Sequence, residues 1–248
     1  MSLSISKIVV LTRFKFKELF RNKTFLITAS MVPLLTLLMR FLYQNILDGE
    51  AMPPMMLALV LNLGLLMNLT SVSMMMPATM LAKDKEKSTL RTLMTSSVNG
   101  GEYFVSSVIP SFAVSVVINL LILFLCGIDM SQLNLGLYLF VTSLASLTSC
   151  VLGMLIGLFA KNQMASSNLC AVFILVLMLV PMFGNLADSF QNISGFLYTG
   201  IVGNMVSAFA EGSNQGLSIQ SWLVLIVELL VISCLFVVNY RKSGFERE

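Results

Sequence analysis

The sequence predicts an all-α polytopic membrane protein with six transmembrane helices. Three observations carry that prediction. Hydrophobic residues fill 57% of the 248 positions and charged residues only 11%, against about 25% charged in a soluble domain. Six apolar runs each reach the roughly 20 helical residues that cross a hydrocarbon layer of about 30 Å. Lysine and arginine fall almost only in alternate connections between those runs. No segment is long and polar enough for a separate soluble domain, so residues 1–248 read as a single transmembrane domain. There is no histidine, which removes the commonest metal ligand and the commonest general base together.

Residues 1–22 come first. Ile5, Ile8, Val9, Thr12, Phe16, Leu19 and Phe20 form one helical stripe, with Lys7, Arg13, Lys17 and Arg21 mostly opposite. That pattern is a basic amphipathic helix lying in the headgroup plane. A signal peptide fits less well, because the basic region and the next apolar run are both too long and no small-x-small cleavage site follows. Span one is expected at about 24–45, with Pro33 as a kink. Asp48-Gly49-Glu50 and Pro53-Pro54 make a short loop before span two, about 55–82, which carries Pro77.

The charged stretch 83–101 then interrupts the apolar sequence. It holds Lys83, Asp84, Lys85, Glu86, Lys87 and Arg91, so it cannot lie in hydrocarbon. Leu90, Leu93 and Met94 fall at i, i+3, i+4, one face of a short helix, with Ser88 as N-cap and Asn99-Gly100 as stop. Such a helix either rests on headgroups or docks a soluble protein.

Span three is expected at about 103–127, then a loop around Asp129 and Asn134. Span four follows at about 136–160. Lys161-Asn162-Gln163 is a tight turn, and span five runs from about 165 to 183. Residues 184–218 mix Gly184, Gly195, Gly200, Gly203, Gly212 and Gly216 with several asparagines. Their apolar patches are too short to span, so two short re-entrant helices are expected there. Span six, about 219–240, has Trp222 and Tyr240 as interfacial anchors.

The cations set the orientation. Six precede span one, four follow span two, Lys161 follows span four, and Arg241, Lys242 and Arg247 close the chain. The other connections carry Asp48, Glu50, Asp129, Asp188 and Glu211 and no cation. Positive residues stay inside, which makes both termini and the 83–101 helix cytoplasmic.

Two ionisable residues fall inside spans, Arg40 and Glu228. Intramembrane charges are costly and usually paired, so they read as an ion pair or a lining of the translocation path, unless Arg40 snorkels to the headgroups and Glu228 is protonated. Asn62, Asn68, Thr70, Ser71 and Ser73 make span two polar, and Asn119 sits in span three. They either glue helices or line a wet cavity. Gly153 and Gly157 form a GxxxG that allows close helix approach. The methionines between Met52 and Met80 read as adaptable packing rather than a Cu(I) path, since no His or Cys joins them. Cys126, Cys150, Cys170 and Cys234 read as small buried hydrophobes. Asn192-Ile-Ser194 fits a glycosylation pattern of only three residues. No GxxxxGK[ST], HExxH or GxSxG is present, so the chain has no visible means of binding ATP or hydrolysing a substrate itself.

This order of helices resembles the ABC-2 type permeases, the membrane subunits of ABC exporters. The residues that carry the resemblance are Asp84-Lys85-Glu86-Lys87-Ser88-Thr89-Leu90-Arg91-Thr92-Leu93-Met94. They are similar to the family's acidic-basic-Glu-basic-Gly-Thr-Leu-Glu-x-Leu-Leu run. Ser88 stands for the usual Gly, Arg91 for Glu, and Ser97 where Pro is common; Ser106-Ser107 replaces a Gly-Lys pair. The resemblance implies that 1–22 is a connecting helix and 83–101 a coupling helix seated on a separate ATPase subunit. Asp84, Glu86, Thr89, Leu90, Leu93 and Met94 would make the contacts. It implies two ATPase copies that bind ATP and Mg, and a second permease copy or a related one. It implies an outer gate in 184–218, with Phe190, Phe196 and Tyr198 as apolar plug and Asp188 as polar lip. The expected function is export of a hydrophobic or amphipathic cargo (an antimicrobial peptide, drug or lipid-linked molecule) across a bacterial plasma membrane. Polar span two, Arg40 and Glu228 leave an ion-conducting channel as the alternative. No nucleic acid partner and no cofactor of the chain's own are expected.

Overall fold

The computed structural model describes residues 4–48, 50–95, 98–128, 133–184, 188–212 and 217–242, excluding the side chains of Arg91, Met94, Thr95, Asp188 and Ser189. The expected features at Met94, Ser97, Asp129 and the Asp188 carboxyl therefore lie outside the described residues. Everything described is helical or a connection between helices. The helices are α1 (Ile5–Arg21), α2 (Lys23–Ile46), α3 (Pro54–Met67), α4 (Met75–Glu86), α5 (Thr89–Thr95), α6 (Gly100–Cys126), α7 (Leu135–Phe159), α8 (Gln163–Phe183), α9 (Asp188–Ser194), α10 (Tyr198–Ala210) and α11 (Ile219–Lys242). A π-helical stretch, Asn68–Met74, joins α3 to α4, so 54–86 is one continuous run.

Six of these elements are long and apolar enough to cross a membrane: α2, the α3–α4 run, α6, α7, α8 and α11. The chain is a multi-pass membrane protein. α2 passes through Pro33 as a single helix. α1 and α2 meet at Asn22, whose extended backbone ends one helix and whose side chain accepts from Thr24 N (3.1 Å), capping the next.

α7 is the centre of the bundle and packs most extensively on α4, α11 and α6. The two glycines at its end set that approach. A Cβ at Gly153 would collide with the Met74 carbonyl, and one at Gly157 would lie 2.5 Å from the Ala78 carbonyl. The GxxxG therefore serves packing within the chain, against the π stretch and α4. α2, α8 and α11 leave most of their apolar surface outward.

The π stretch has a local cause. Thr70 Oγ1 donates to Leu66 O (2.8 Å) and Ser73 Oγ to Asn68 O (3.4 Å). Hydroxyls that back-bond to the preceding turn compete with the α-helical ladder, and wide turns of this kind recur inside helices.

The charged stretch differs from its expected form. α4 runs on to Glu86, so Lys83 to Glu86 form the last turn of a spanning helix. Ser88 takes a left-handed φ of 57° and makes the corner into α5. Asn99 does not end that helix. It begins α6 with a capping box shared with Glu102. Tyr240, expected as an interfacial anchor, is buried with Leu81, Leu90, Tyr103 and Phe236. Cys126, Cys150 and Cys170 are buried as expected, whereas Cys234 is exposed.

Candidate functional site

The last turn of α4 is a hub that reaches four helices. Asp84, only 4% exposed, accepts from the Lys15 ammonium of α1 and the Tyr103 hydroxyl of α6. Lys15 also lies 5.1 Å from the centre of the Tyr103 ring. Lys83 donates to Glu18 of α1 at 2.8 Å. Lys85 donates to Leu158 O and Ala160 O (2.5 and 2.7 Å), where α7 ends and a cation complements the helix dipole. Glu86 accepts from Gln163 N (3.1 Å), the first residue of α8. A further tie joins the starts of α1 and α6, where Glu102 accepts from Ser4 N (2.8 Å) and Asn99 N (3.0 Å).

Burial pulls the Glu18 carboxyl up, but the Lys83 hydrogen bond and the charges of Lys15 and Lys83 outweigh it and hold it below the ordinary carboxylate value. A buried ion pair of the Lys15–Asp84 kind gains little over an apolar substitute, yet breaking it strands a charge. The hub therefore fixes geometry more than it adds stability.

These contacts revise the expected docking face. Asp84 points into the bundle. Leu90 is 1% exposed and packs with Leu81, Tyr103 and Leu158, with Leu93 half-buried beside it. The apolar face of α5 thus has its partner within the chain. Among the described side chains, Glu86, Lys87, Ser88 and Thr92 face outward at this corner, with Thr89 half-buried.

Within the spans, Asn68 and Asn119 act as glue. Asn68 Nδ2 donates to Asn119 Oδ1 (2.7 Å) and Ser115 O (2.9 Å). Asn119 Nδ2 donates to Ser146 Oγ (3.1 Å), and Tyr138 donates to Asn119 O (2.8 Å). This buried network ties the π stretch to α6 and α7. Asn62 lies apart from it, half-buried against Gly203 of α10, with its Oδ1 unpartnered. It lines a cavity of about 390 Å³ together with Met39, Tyr43, Met55, Met182 and Glu211.

Arg40 and Glu228 are not brought together. Arg40 Nη1 donates to Leu125 O (2.6 Å) at the end of α6, beside Gly127. The Glu228 carboxyl instead faces the backbone N–H of Tyr198, the first residue of α10. That helix start has no cap from its own side chains.

The residues expected as a gate also separate. Phe196 is 61% exposed and Phe190 is exposed beside Phe183 (ring centres 6.3 Å). Tyr198 is 1% exposed, and its hydroxyl accepts from Ser149 Oγ (3.0 Å) of α7. It is a core residue rather than part of a plug.

Sequence reasoning missed Lys15, Glu18, Tyr103, Ser115 and Ser146. Lys15 left a signal. It lies four residues before Leu19 and three after Thr12, on the apolar stripe, and a cation there implies a buried partner. Ser107, Ser111, Ser115 and Asn119 likewise recur every four residues along α6.

Six crossing helices around a buried polar seam, with most of the cations gathered at one end, define a polytopic membrane protein. The chain belongs to the ABC-2 type transporter family, which it matches over residues 6–183. It is accordingly the permease of an ABC transporter, a transport subunit of a family that works with an ABC ATPase. The match ends with α8, so α9, α10 and α11 lie beyond it. No individually curated protein matches the chain.

Proposed function

We propose that this permease is the membrane subunit of an ATP-driven exporter whose cargo is hydrophobic or amphipathic, such as an antimicrobial peptide, a drug or a lipid-linked molecule. A separate subunit binds ATP and Mg and hydrolyses it. Two ATPase copies and two permeases make the complex, and the basic end of the bundle, with both chain termini, faces the cytoplasm of a bacterium. The observation that carries this reading is the hub at the end of α4. A force applied to the α4–α5 corner passes directly into α1, α6, α7 and α8, because Lys83, Asp84, Lys85 and Glu86 each bond to one or more of them. A corner tied in this way acts as a lever between an ATPase and the spans, as coupling between distant sites requires. The contact surface is Glu86, Lys87, Ser88 and Thr92, with α9 and α10 at the opposite end forming the outer gate. Phe190, Phe196 and Asp188 stand at that gate.

The test uses a Cys234→Ser background, since Cys234 is exposed. Ser88→Cys should crosslink to a co-expressed ABC ATPase and resist an impermeant thiol reagent in intact cells. Phe196→Cys should label from outside. Labelling of Ser88→Cys in intact cells with Phe196→Cys silent, or failure of any ATPase to co-purify, overturns the proposal. The buried network around Asn68 uses the polar groups of span two for helix contacts, so nothing specific favours a channel.

A further inference from the structure

The corner between α1 and α2 holds charge that the hub does not neutralise. α1 ends at Arg21, Asn22 is extended, and α2 begins at Lys23. Lys17, Arg21 and Lys23 line a cavity of about 590 Å³ together with the Lys83–Glu18 pair. Among the described residues no carboxylate forms a salt bridge with Lys17, Arg21 or Lys23. The single carboxylate in the cavity, Glu18, is already bonded to Lys83. Four cations therefore face one acid that is already committed, and like charges so close repel one another. An anion bound between them removes that repulsion.

We propose that this cavity binds the phosphodiester headgroup of an anionic glycerolipid. Charge selects a phosphate, and the surroundings select a lipid. Phe14 lines the cavity and is exposed, and Leu26 and Ile27, one turn into α2, are exposed as well. A headgroup held by Lys17, Arg21 and Lys23 would lay its acyl chains along that apolar face. A basic pocket at the end of membrane-spanning helices is the setting in which acidic headgroups bind. The bound lipid would act as a strut that fixes the angle between α1 and α2. This assignment stands apart from the transport reading and is tested without transport.

The test uses the whole purified chain in detergent. Phosphatidylglycerol and phosphatidylcholine with matched acyl chains are compared by native mass spectrometry and by thermal unfolding. Phosphatidylglycerol should be preferred by about tenfold, with the preference falling as salt rises. The triple variant K17Q/R21Q/K23Q should bring the two lipids to within about twofold. Arg21→Lys should retain the preference, and Arg241→Gln, a cation that lines a different cavity beside Asn99 and Phe104, should leave it intact. Should the triple variant not fold, Lys23→Gln alone should still carry about half the co-purified phosphatidylglycerol of the wild type. A tenfold preference surviving in the triple variant, or an equal loss in Arg241→Gln, overturns the site. Stabilisation by glycerol phosphate or inorganic phosphate as large as that by the lipid assigns the cavity to soluble phosphate and overturns the headgroup claim.

Discussion

The two ends of the bundle are held together by different physics. At the basic end, short directional bonds connect Lys15, Glu18, Lys83, Asp84, Lys85, Glu86 and Tyr103 across five helices. At the other end α10 lies on α3, α8 and α7 through Ile201, Val202, Met205 and Val206. Unpartnered polar atoms occur at both ends: Asn62 Oδ1, Thr199 Oγ1 and one oxygen of Glu228 here, Thr12 Oγ1 and Ser166 Oγ at the basic end. Directional bonds tolerate little displacement, because they weaken steeply with distance and angle. Apolar contact is non-directional and survives small sliding. The contrast teaches that one end is fixed by directional bonds and the other by apolar contact that tolerates sliding.

The sharpest way to break this contrast is at Asp84. Asp84→Ala leaves the buried Lys15 with only Glu18, 3.7 Å away and already bonded to Lys83, and should cost about 3–5 kcal/mol, read as a large drop in unfolding temperature. Replacing both partners, Lys15→Met with Asp84→Leu, should restore most of it, because a buried pair exchanged for apolar residues is often neutral. A double variant as unstable as Asp84→Ala would show that the charges themselves hold this end.

A smaller loss is expected at Leu90. Leu90→Ala removes a fully buried side chain and should cost about 2–5 kcal/mol, measured as thermal unfolding of the permease alone, without any partner present. Phe196→Ala at the opposite end should change stability by less than about 0.5 kcal/mol, as exposed substitutions usually do. Equal effects of the two would erase the distinction between the ends.

The polar seam between the ends should respond at an intermediate level. Asn68→Ala strands Asn119 Oδ1 and the Ser115 carbonyl and should cost about 1–3 kcal/mol, visible in the same melts. Asn62→Ala, whose Oδ1 has no partner, should be close to neutral.

The weakest effect concerns pH. Glu18 titrates below its ordinary value of 4.5 when folded. Its contribution is therefore complete above that value and is lost as the pH falls through the folded one. Glu18 is partly exposed and screened, so this contribution is under about 1 kcal/mol. Wild type should lose slightly more stability than Glu18→Gln between pH 6 and pH 3, a difference read from paired melting curves.

Much of this architecture was legible beforehand. The six spans, the amphipathic α1 and the two short helices in 184–218 follow from run length, stripe and glycine content. The misreadings share one cause. Periodicity shows which residues lie on the same face, but not what that face meets. Leu90 and Leu93 share a face, and that face meets Tyr103 and Leu81. Lys83 to Glu86 read as a stretch outside hydrocarbon that docks a separate subunit, because a charge is costly to bury alone. Their partners, Lys15 and Glu18, lie 65 and more positions away, beyond the reach of any local pattern. Tyr198 was misassigned for the same reason, since the Ser149 hydroxyl that holds it comes from α7.

The wide turn at Asn68–Met74 has a consequence for length. A π turn stores one residue more than an α turn, and one residue corresponds to about 100° of helical rotation. The run 54–86 is therefore two screws cut out of phase, with the offset absorbed between them. Excising a single residue from 69–73 would let the turn relax to ordinary pitch. α4 would keep its facing relative to α3, because the excised residue is the one the wide turn had absorbed. The same excision from the regular helix at 75–82, which holds no spare residue, would turn Asp84 away from Lys15 and Tyr103 by about 100°, although no side chain of the hub had been altered. The spacing of this stretch, as much as its composition, is what keeps the charged end in register.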